Sequence, residues 1–251
     1  MIRSRNRARG GAALATITSE LSFVSGIPSG FTYTRADTVA TYRNASGQWV
    51  IGSLNVSRQH LFDDGLVETL MEVSRVNKCT TRNISPVDLT GITASGNVSA
   101  VISIVDDTTA LTAAGLNLGN GMVIEVDNTL GGSGTASANI AGVNGNTNPH
   151  SLSAFARALA GTNAFILDSG GSGASNATSS STYTRLKSEG YTPTSSSRTL
   201  RLSAPIGCKA RFTLYQMEEG LMCTTPIIVA GATATRAQER IFCTNLALLA
   251  G

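Results

Sequence analysis

Charge is scarce in this 251-residue chain: Asp, Glu, Lys and Arg make up 14%, against the usual quarter. Aromatic residues stand at 5%, and there are only 6 prolines and 2 histidines. So little charge excludes an architecture of helices with charged, solvated outer faces. A formal charge of +3 falls short of the concentrated basic stripe that holds nucleic acid, so no nucleic-acid partner is expected. No run reaches the roughly 18 apolar residues of a membrane-spanning helix, and no membrane insertion is expected.

Reactive clusters are missing too. His60 and His150 lie far apart, and no G-x-S-x-G elbow accompanies them. The glycine-rich run "GGSGASN" (170–176) lacks the Lys and following helix of a phosphate loop. Asp63–Asp64 and Asp106–Asp107 miss the spacing of a calcium loop and read as turn-capping acids. Cys79, Cys208, Cys223 and Cys243 form no C-x-x-C pair. Their three possible pairings stay open, with free and mostly buried thiols preferred. Neither an enzyme nor a metal or cofactor site is expected, and no carboxylate pair suggests a sugar-degrading activity.

What is abundant is glycine (26 residues) together with Ser, Thr, Ala and Asn. Period-two alternation marks strands in "NVSAVISIV" (97–105), "MVIEV" (122–126), "AFILD" (164–168), "TLRLS" (199–203) and "ARFTLYQM" (210–217). In the last, Phe212 and Leu214 should face one way, and Arg211, Thr213 and Tyr215 the other. Between them run Gly/Asn/Ser-rich turns such as "GVNGNTNP" and "DSGGSGASNATSSST". "SLSAFARALAG" (151–161) is read as strand rather than helix, while "LFDDGLVETLMEVSRVN" (61–77) admits a helix with Leu66, Leu70 and Val73 on one stripe. The sum is an all-β chain, an antiparallel β-sandwich of jelly-roll or lectin-like type.

Both ends differ from this middle. Arg3, Arg5, Arg7 and Arg9 give residues 1–29 the character of a basic arm. Its apolar part, "AALATI", is short and soon broken by Glu20, so it is not read as a secretory signal. The sandwich is assigned to 30–225, and 226–251 to a tail packing on it or on a neighbouring subunit.

Four phrases carry a resemblance. "FTYTRADTVATY" (31–42), with "NASG" (44–47) after it, and "LMEVSRVNKCTTRN" (70–83) are similar to an F-T-R-A-S-x-A-T-Y strand, a turn and an I-E-x-x-R-T-N-L segment. "LYQMEEG" (214–220) resembles W-G-A-Q-L-E-E-G, and "GATATRA" (231–237) resembles G-A-T-x-T-R-A-A-D. The set resembles a domain of bacteriophage structural proteins, with a carbohydrate-binding-module-like sandwich. Arg35, Tyr42, Glu72, Arg75, Asn77, Gln216, Glu218, Glu219 and Arg236 fall on it. Asp37 stands where the family has a small Ser, Met217 where it has Leu, and Tyr215 near its Trp.

The resemblance implies a non-enzymatic virion protein on the particle surface, a head fibre, capsid decoration or tail accessory, docked through its basic arm to capsid or tail proteins. A homo-oligomer follows, a trimer favoured, because attachment sites are symmetric. The alternative is a dedicated glycan-binding module recognising host surface polysaccharide, with Trp49, Tyr183 and Tyr191 as aromatic platforms. Arg35 is read as scaffold, and the repeated T-R-A as marking domain ends that lie close in space. Arg35 or Arg75 is expected to pair with a carboxylate of "MEEG".

Overall fold

The computed structural model describes residues 27, 31–142, 147–161, 163–168, 174–176, 181–194, 196 and 198–243. Arg3, Arg5, Arg7 and Arg9 lie outside the described residues, as do parts of the turns "GVNGNTNP" (142–149) and "DSGGSGASNATSSST" (168–182). Six short strands come first: β1 (Phe31–Thr34), β2 (Thr41–Arg43), β3 (Trp49–Ile51), β4 (Gln59–Leu61), β5 (Val67–Thr69) and β6 (Arg75–Asn77). Then follow β7 (Ile92–Gly96), β8 (Val101–Asp106), helix α1 (Thr108–Ala113), β9 (Met122–Asp127), β10 (Ala136–Ala141) and β11 (His150–Ala160). The chain continues through β12 (Phe165–Asp168), β13 (Ala174–Asn176), β14 (Thr184–Tyr191), β15 (Thr199–Ala204) and β16 (Lys209–Glu219). It closes with β17 (Ala234–Arg236) and β18 (Arg240–Cys243).

Ten of these strands make an antiparallel sandwich. One five-stranded sheet has the order β13-β12-β15-β10-β7 and the other β14-β11-β16-β9-β8. Alternation explains how they pack. Ile124 and Val126 of β9, Leu152, Ala154 and Ala156 of β11, and Phe212 of β16 face Ile140, Ile166, Leu200 and Leu202 of the first sheet. Each fully buried Leu or Ile here contributes about 1.5–3 kcal/mol. The opposite face of the second sheet buries Val123, Phe155 and Leu214 under α1 and its loop, through Leu111 and Leu116. Short strands β1–β6, β17 and β18 pair in twos outside the sandwich sheets: β1 with β18, β2 with β3, β4 with β5, β6 with β17.

Two segments depart from the sequence reading. Residues 61–77 hold no helix, because Asp64 accepts the Leu66 amide at 3.2 Å and Gly65 (φ 82°) turns β4 into β5. Leu66 and Val73 are left exposed, so the stripe a helix would bury does not exist. In β16 the simple alternation fails at Leu214. Its φ of 49° is a left-handed conformation that a bulky residue rarely adopts. Ser153 pairs with Gln216 and Phe155 with Thr213, so β16 carries one extra residue there, a β-bulge. Leu214 therefore enters the outer core, while Tyr215 and Met217 join Phe212 in the inner one.

The bulge is held by asparagines. Leu214 donates its amide to the Asn83 carbonyl at 2.7 Å. The Asn83 side chain donates to the Tyr215 and Ile227 carbonyls (3.0 and 2.9 Å) and accepts the Val229 amide at 2.8 Å. Asn77 reaches the same two carbonyls at 3.3 and 3.2 Å. Both side chains are fully buried, so each bond satisfies a group that water does not reach. Asn83→Ala strands buried backbone groups, and each costs about 1–3 kcal/mol. A clear fall in the urea midpoint without a change in slope is the expected result.

Candidate functional site

The signature phrases converge on one buried knot of charge. Arg58, just before β4, donates Nε to Glu239 Oε1 at 2.6 Å and Nη2 to Glu72 Oε2 at 2.8 Å. Arg236 of β17 donates Nη1 to the same Glu72 oxygen at 3.0 Å and Nη2 to the Val73 carbonyl at 2.7 Å. Thr225 gives Glu72 both its amide (2.8 Å) and its hydroxyl (2.5 Å). Tyr33 of β1 donates its hydroxyl to Glu239 Oε1 at 2.5 Å, and the Glu72 amide donates to Glu239 Oε2 at 2.7 Å. Both guanidiniums are fully buried, where an unpaired charge is prohibitive and a paired one tolerable. The two T-R-A phrases meet beside this knot: Asp37 accepts the Ala237 amide at 2.7 Å, and β1 lies antiparallel to β18.

Burial works to raise the Glu72 carboxyl, but Arg236, Arg58 and the Thr225 bonds outweigh it and hold it down to about 2. For the Tyr33 hydroxyl, burial and then the bond to Glu239 raise its pKa. His60 is pushed down to about 4, chiefly by burial, with its ring edge-on to Trp49 and Phe62.

The expected pairing of Arg35 or Arg75 with the "MEEG" carboxylates does not form among the described residues. Arg35 is 1% exposed and donates Nη2 to the Ser53 carbonyl at 2.6 Å, with Nε and Nη1 unpartnered. It lies flat on Gly52, where a Cβ would come within 2.7 Å of Nη1. The reason is topological: β1 pairs with β18, which turns Arg35 toward the 52–55 loop and away from β16. Glu218 accepts instead from Gln216 Nε2 (2.8 Å) and from the Thr224 amide (2.7 Å) and hydroxyl (2.8 Å). Glu219 takes Lys78 at 3.2 Å and Asn148 at 2.5 Å. Gln216 also accepts the Ile227 amide at 2.7 Å, and Tyr42 is half-buried on β2.

The three aromatic candidates do not form one platform. Trp49 lies edge-on to Phe155 at 5.6 Å and covers the outer core. Tyr183 is 8% exposed, and its hydroxyl donates to Asp107 Oδ2 at 2.7 Å. That burial removes the open ring face a sugar would stack on. Tyr191 packs against the inner core near His150.

A second charged array runs across the outer face of β9, β11 and β16. Asp107 joins Arg157 and Arg211, Glu125 joins Arg211 and Lys209, and Asp127 joins Lys209. Each carboxylate here is covered by a cation. Among the described residues no three His, Cys, Asp or Glu side chains gather as metal ligands. Arg58 and Glu239 are not singled out in the sequence, and of the two acids read there as turn-capping, Asp106 accepts the Thr108 amide at 2.9 Å while Asp107 pairs instead with Arg157 and Arg211. The available signal was charge inside strand-like segments of a chain otherwise poor in it.

No family model matches the chain, and no curated protein matches it. Among solved structures it is similar to the enzymatically active domain of bacteriophage CBA120 tailspike protein 4, at 11% identity and a TM-score of 0.42, covering 58% of this chain and 21% of that one. The arabinose-bound α-L-arabinofuranosidase MgGH51 aligns at 12% identity and TM-score 0.42, over 74% of this chain and 31% of its own. The Bacillus thuringiensis insecticidal crystal protein Cry7Ca1 aligns at 10% and 0.36, over 77% and 42%. The chain thus spans less than half the length of each.

Removing one member of the knot should be costly. Glu72→Gln leaves two buried guanidiniums short of countercharge, and a loss of about 3–5 kcal/mol is expected from urea unfolding. Acid should weaken the fold in two stages. Between about 6.5 and 4 the unfolded chain takes up the proton that buried His60 refuses. The contribution of Glu72, fully present above 4.5, is then lost as pH falls towards about 2. A melting temperature that falls steadily from pH 7 to pH 2 is the expected record.

Proposed function

We propose that this chain is a non-enzymatic structural protein displayed on the surface of a bacteriophage particle as a homo-oligomer, with its N-terminal basic residues docking it to capsid or tail proteins. The observation that carries this reading is the convergence of the four signature phrases. Asp37, Glu72, Thr225 and Arg236 meet through hydrogen bonds in the knot or directly beside it, and Gln216 and Glu218 reach its edge through Thr224. Residues that carry the resemblance therefore have framework work in this chain, and a shared framework is what a displayed structural module needs. The charged side chains support the same reading. Glu72, Glu125, Asp107 and Asp127 all meet Arg or Lys, the pairing that buried carboxylates in a framework need.

Labelling of intact particles tests this. Gold-conjugated antibody raised against the purified chain should decorate particles from the phage lysate at regular, symmetry-related positions. Purified particles free of the chain would overturn the proposal. Sedimentation of the isolated protein should give a mass that is a small multiple of the single chain.

A further inference from the structure

Arg75 is half-buried, unlike the fully buried motif arginines Arg35 and Arg236. Arg236 and the knot's Arg58 are tied to carboxylates; Arg75 has one marginal bond, from Nη1 to the Ser74 carbonyl at 3.4 Å. Its Nε is buried and unpartnered. The guanidinium is half-buried at the start of β6 and lies against Gly220, where a Cβ would sit 2.8 Å from Nη2. Beside it opens a cavity of about 220 Å³ lined by Ser74, Arg75, Val76, Lys78 and Glu219. Lys78 is matched by Glu219 at 3.2 Å, whose other oxygen accepts from Asn148 at 2.5 Å. Among the described residues the lining therefore carries one positive charge without a partner, on the one lining side chain shaped to grip a carboxylate with two parallel bonds.

From this lining we infer that the cavity is a subsite for a single carboxylate-bearing sugar, a uronic acid residue of an acidic polysaccharide. The carboxylate would take the Arg75 fork and neutralise the unmatched charge. The Ser74 hydroxyl offers an acceptor to a ring hydroxyl, which a simple anion would leave unused. Val76, 36% exposed, offers an apolar wall to the C–H face of the ring. The volume lies below the roughly 300–1,000 Å³ of pockets for drug-sized ligands, which suits one ring and not a buried oligosaccharide. This site goes beyond the structural role proposed above and lies apart from Trp49 and Tyr183.

The test is a titration of the isotope-labelled full chain with sodium D-glucuronate at fixed ionic strength, followed by amide NMR signals. D-Glucose and sodium acetate are run in parallel. Glucuronate should shift the Arg75, Val76 and Lys78 signals saturably, glucose should leave them unmoved, and acetate should bind several-fold more weakly. Arg75→Gln should weaken glucuronate binding about tenfold or more, as expected for losing hydrogen bonds to a charged group. Lys78→Gln, at the rim, should weaken it a few-fold and carries the test if Arg75→Gln does not fold. The inference is overturned if glucuronate gives no saturable shift, if glucose or acetate binds as tightly, or if the folded variants bind as well as the parent chain. Any of those results leaves the location of the chain on particles, read by labelling, untouched.

Discussion

Glu72 accepts from two buried guanidiniums at once, Arg58 at 2.8 Å and Arg236 at 3.0 Å, and this double demand fixes how the segments around Arg58, Glu72, Thr225 and β17 meet outside the sandwich sheets. Neither arginine is tolerable in an apolar interior without its carboxylates, because desolvating a charge costs several kcal/mol even after relaxation. The segments bearing Arg58, Glu72, Thr225, Arg236 and Glu239 must therefore arrive together. Apolar burial is non-directional and fixes no unique docking for strands of three or four residues. Directed, charge-assisted bonds do. Replacing such a knot by apolar residues of equal volume is often no loss in stability, so its contribution here is best understood as specifying one arrangement of the chain ends.

The knot connects to the sandwich through the bulge in β16. Inner and outer cores lie on opposite faces of the same sheet, and strict alternation would send Phe212 and Leu214 to one face. The extra residue at Leu214 resets the phase, so Tyr215 and Met217 return to the inner core after Leu214 has filled the outer one. A left-handed leucine costs on the order of 1–3 kcal/mol, and Asn83 and Asn77 supply the hydrogen bonds that offset it. The same asparagines bind the Ile227 carbonyl, which carries the chain on towards Arg236. Core packing, bulge and knot are thus one continuous structure.

This layering explains what could be read from the amino acids alone. The long sandwich strands announce themselves because one or both faces are buried over five or more residues, as in "MVIEV" and "TLRLS". Three-residue strands such as β4, β5 and β6 are too short to show a period, and the Leu66, Leu70 and Val73 spacing imitates a helix. Helix α1 has only six residues, and its N-cap Asp107 gives its side chain to Arg157 and Arg211 rather than to the helix amides, so the Asp that precedes it reads as a turn and not as a helix start. Glu72 and Arg236 stood out through the resemblance, but Arg58 and Glu239 lie 181 residues apart, and no local pattern links them. Tyr183 and Trp49 looked like surface platforms because nothing in the sequence reveals the second core they cover.

Arg35 and Arg75 show most clearly where sequence stops and packing begins. Both stand in signature phrases, and neither meets a carboxylate among the described residues. Both rest on a glycine whose missing side chain makes room for the guanidinium, Gly52 for one and Gly220 for the other. What separates them is access. Arg35 is sealed at 1% exposure with its one strong bond to a loop carbonyl, so it can only brace the chain around it. Arg75 borders an open cavity between β6 and the end of β16, where an anion can reach it without disturbing the fold. Identical chemistry becomes scaffold in one place and a binding group in the other, because β1 turns toward β18 and its loop while β6 faces the rim of the sandwich.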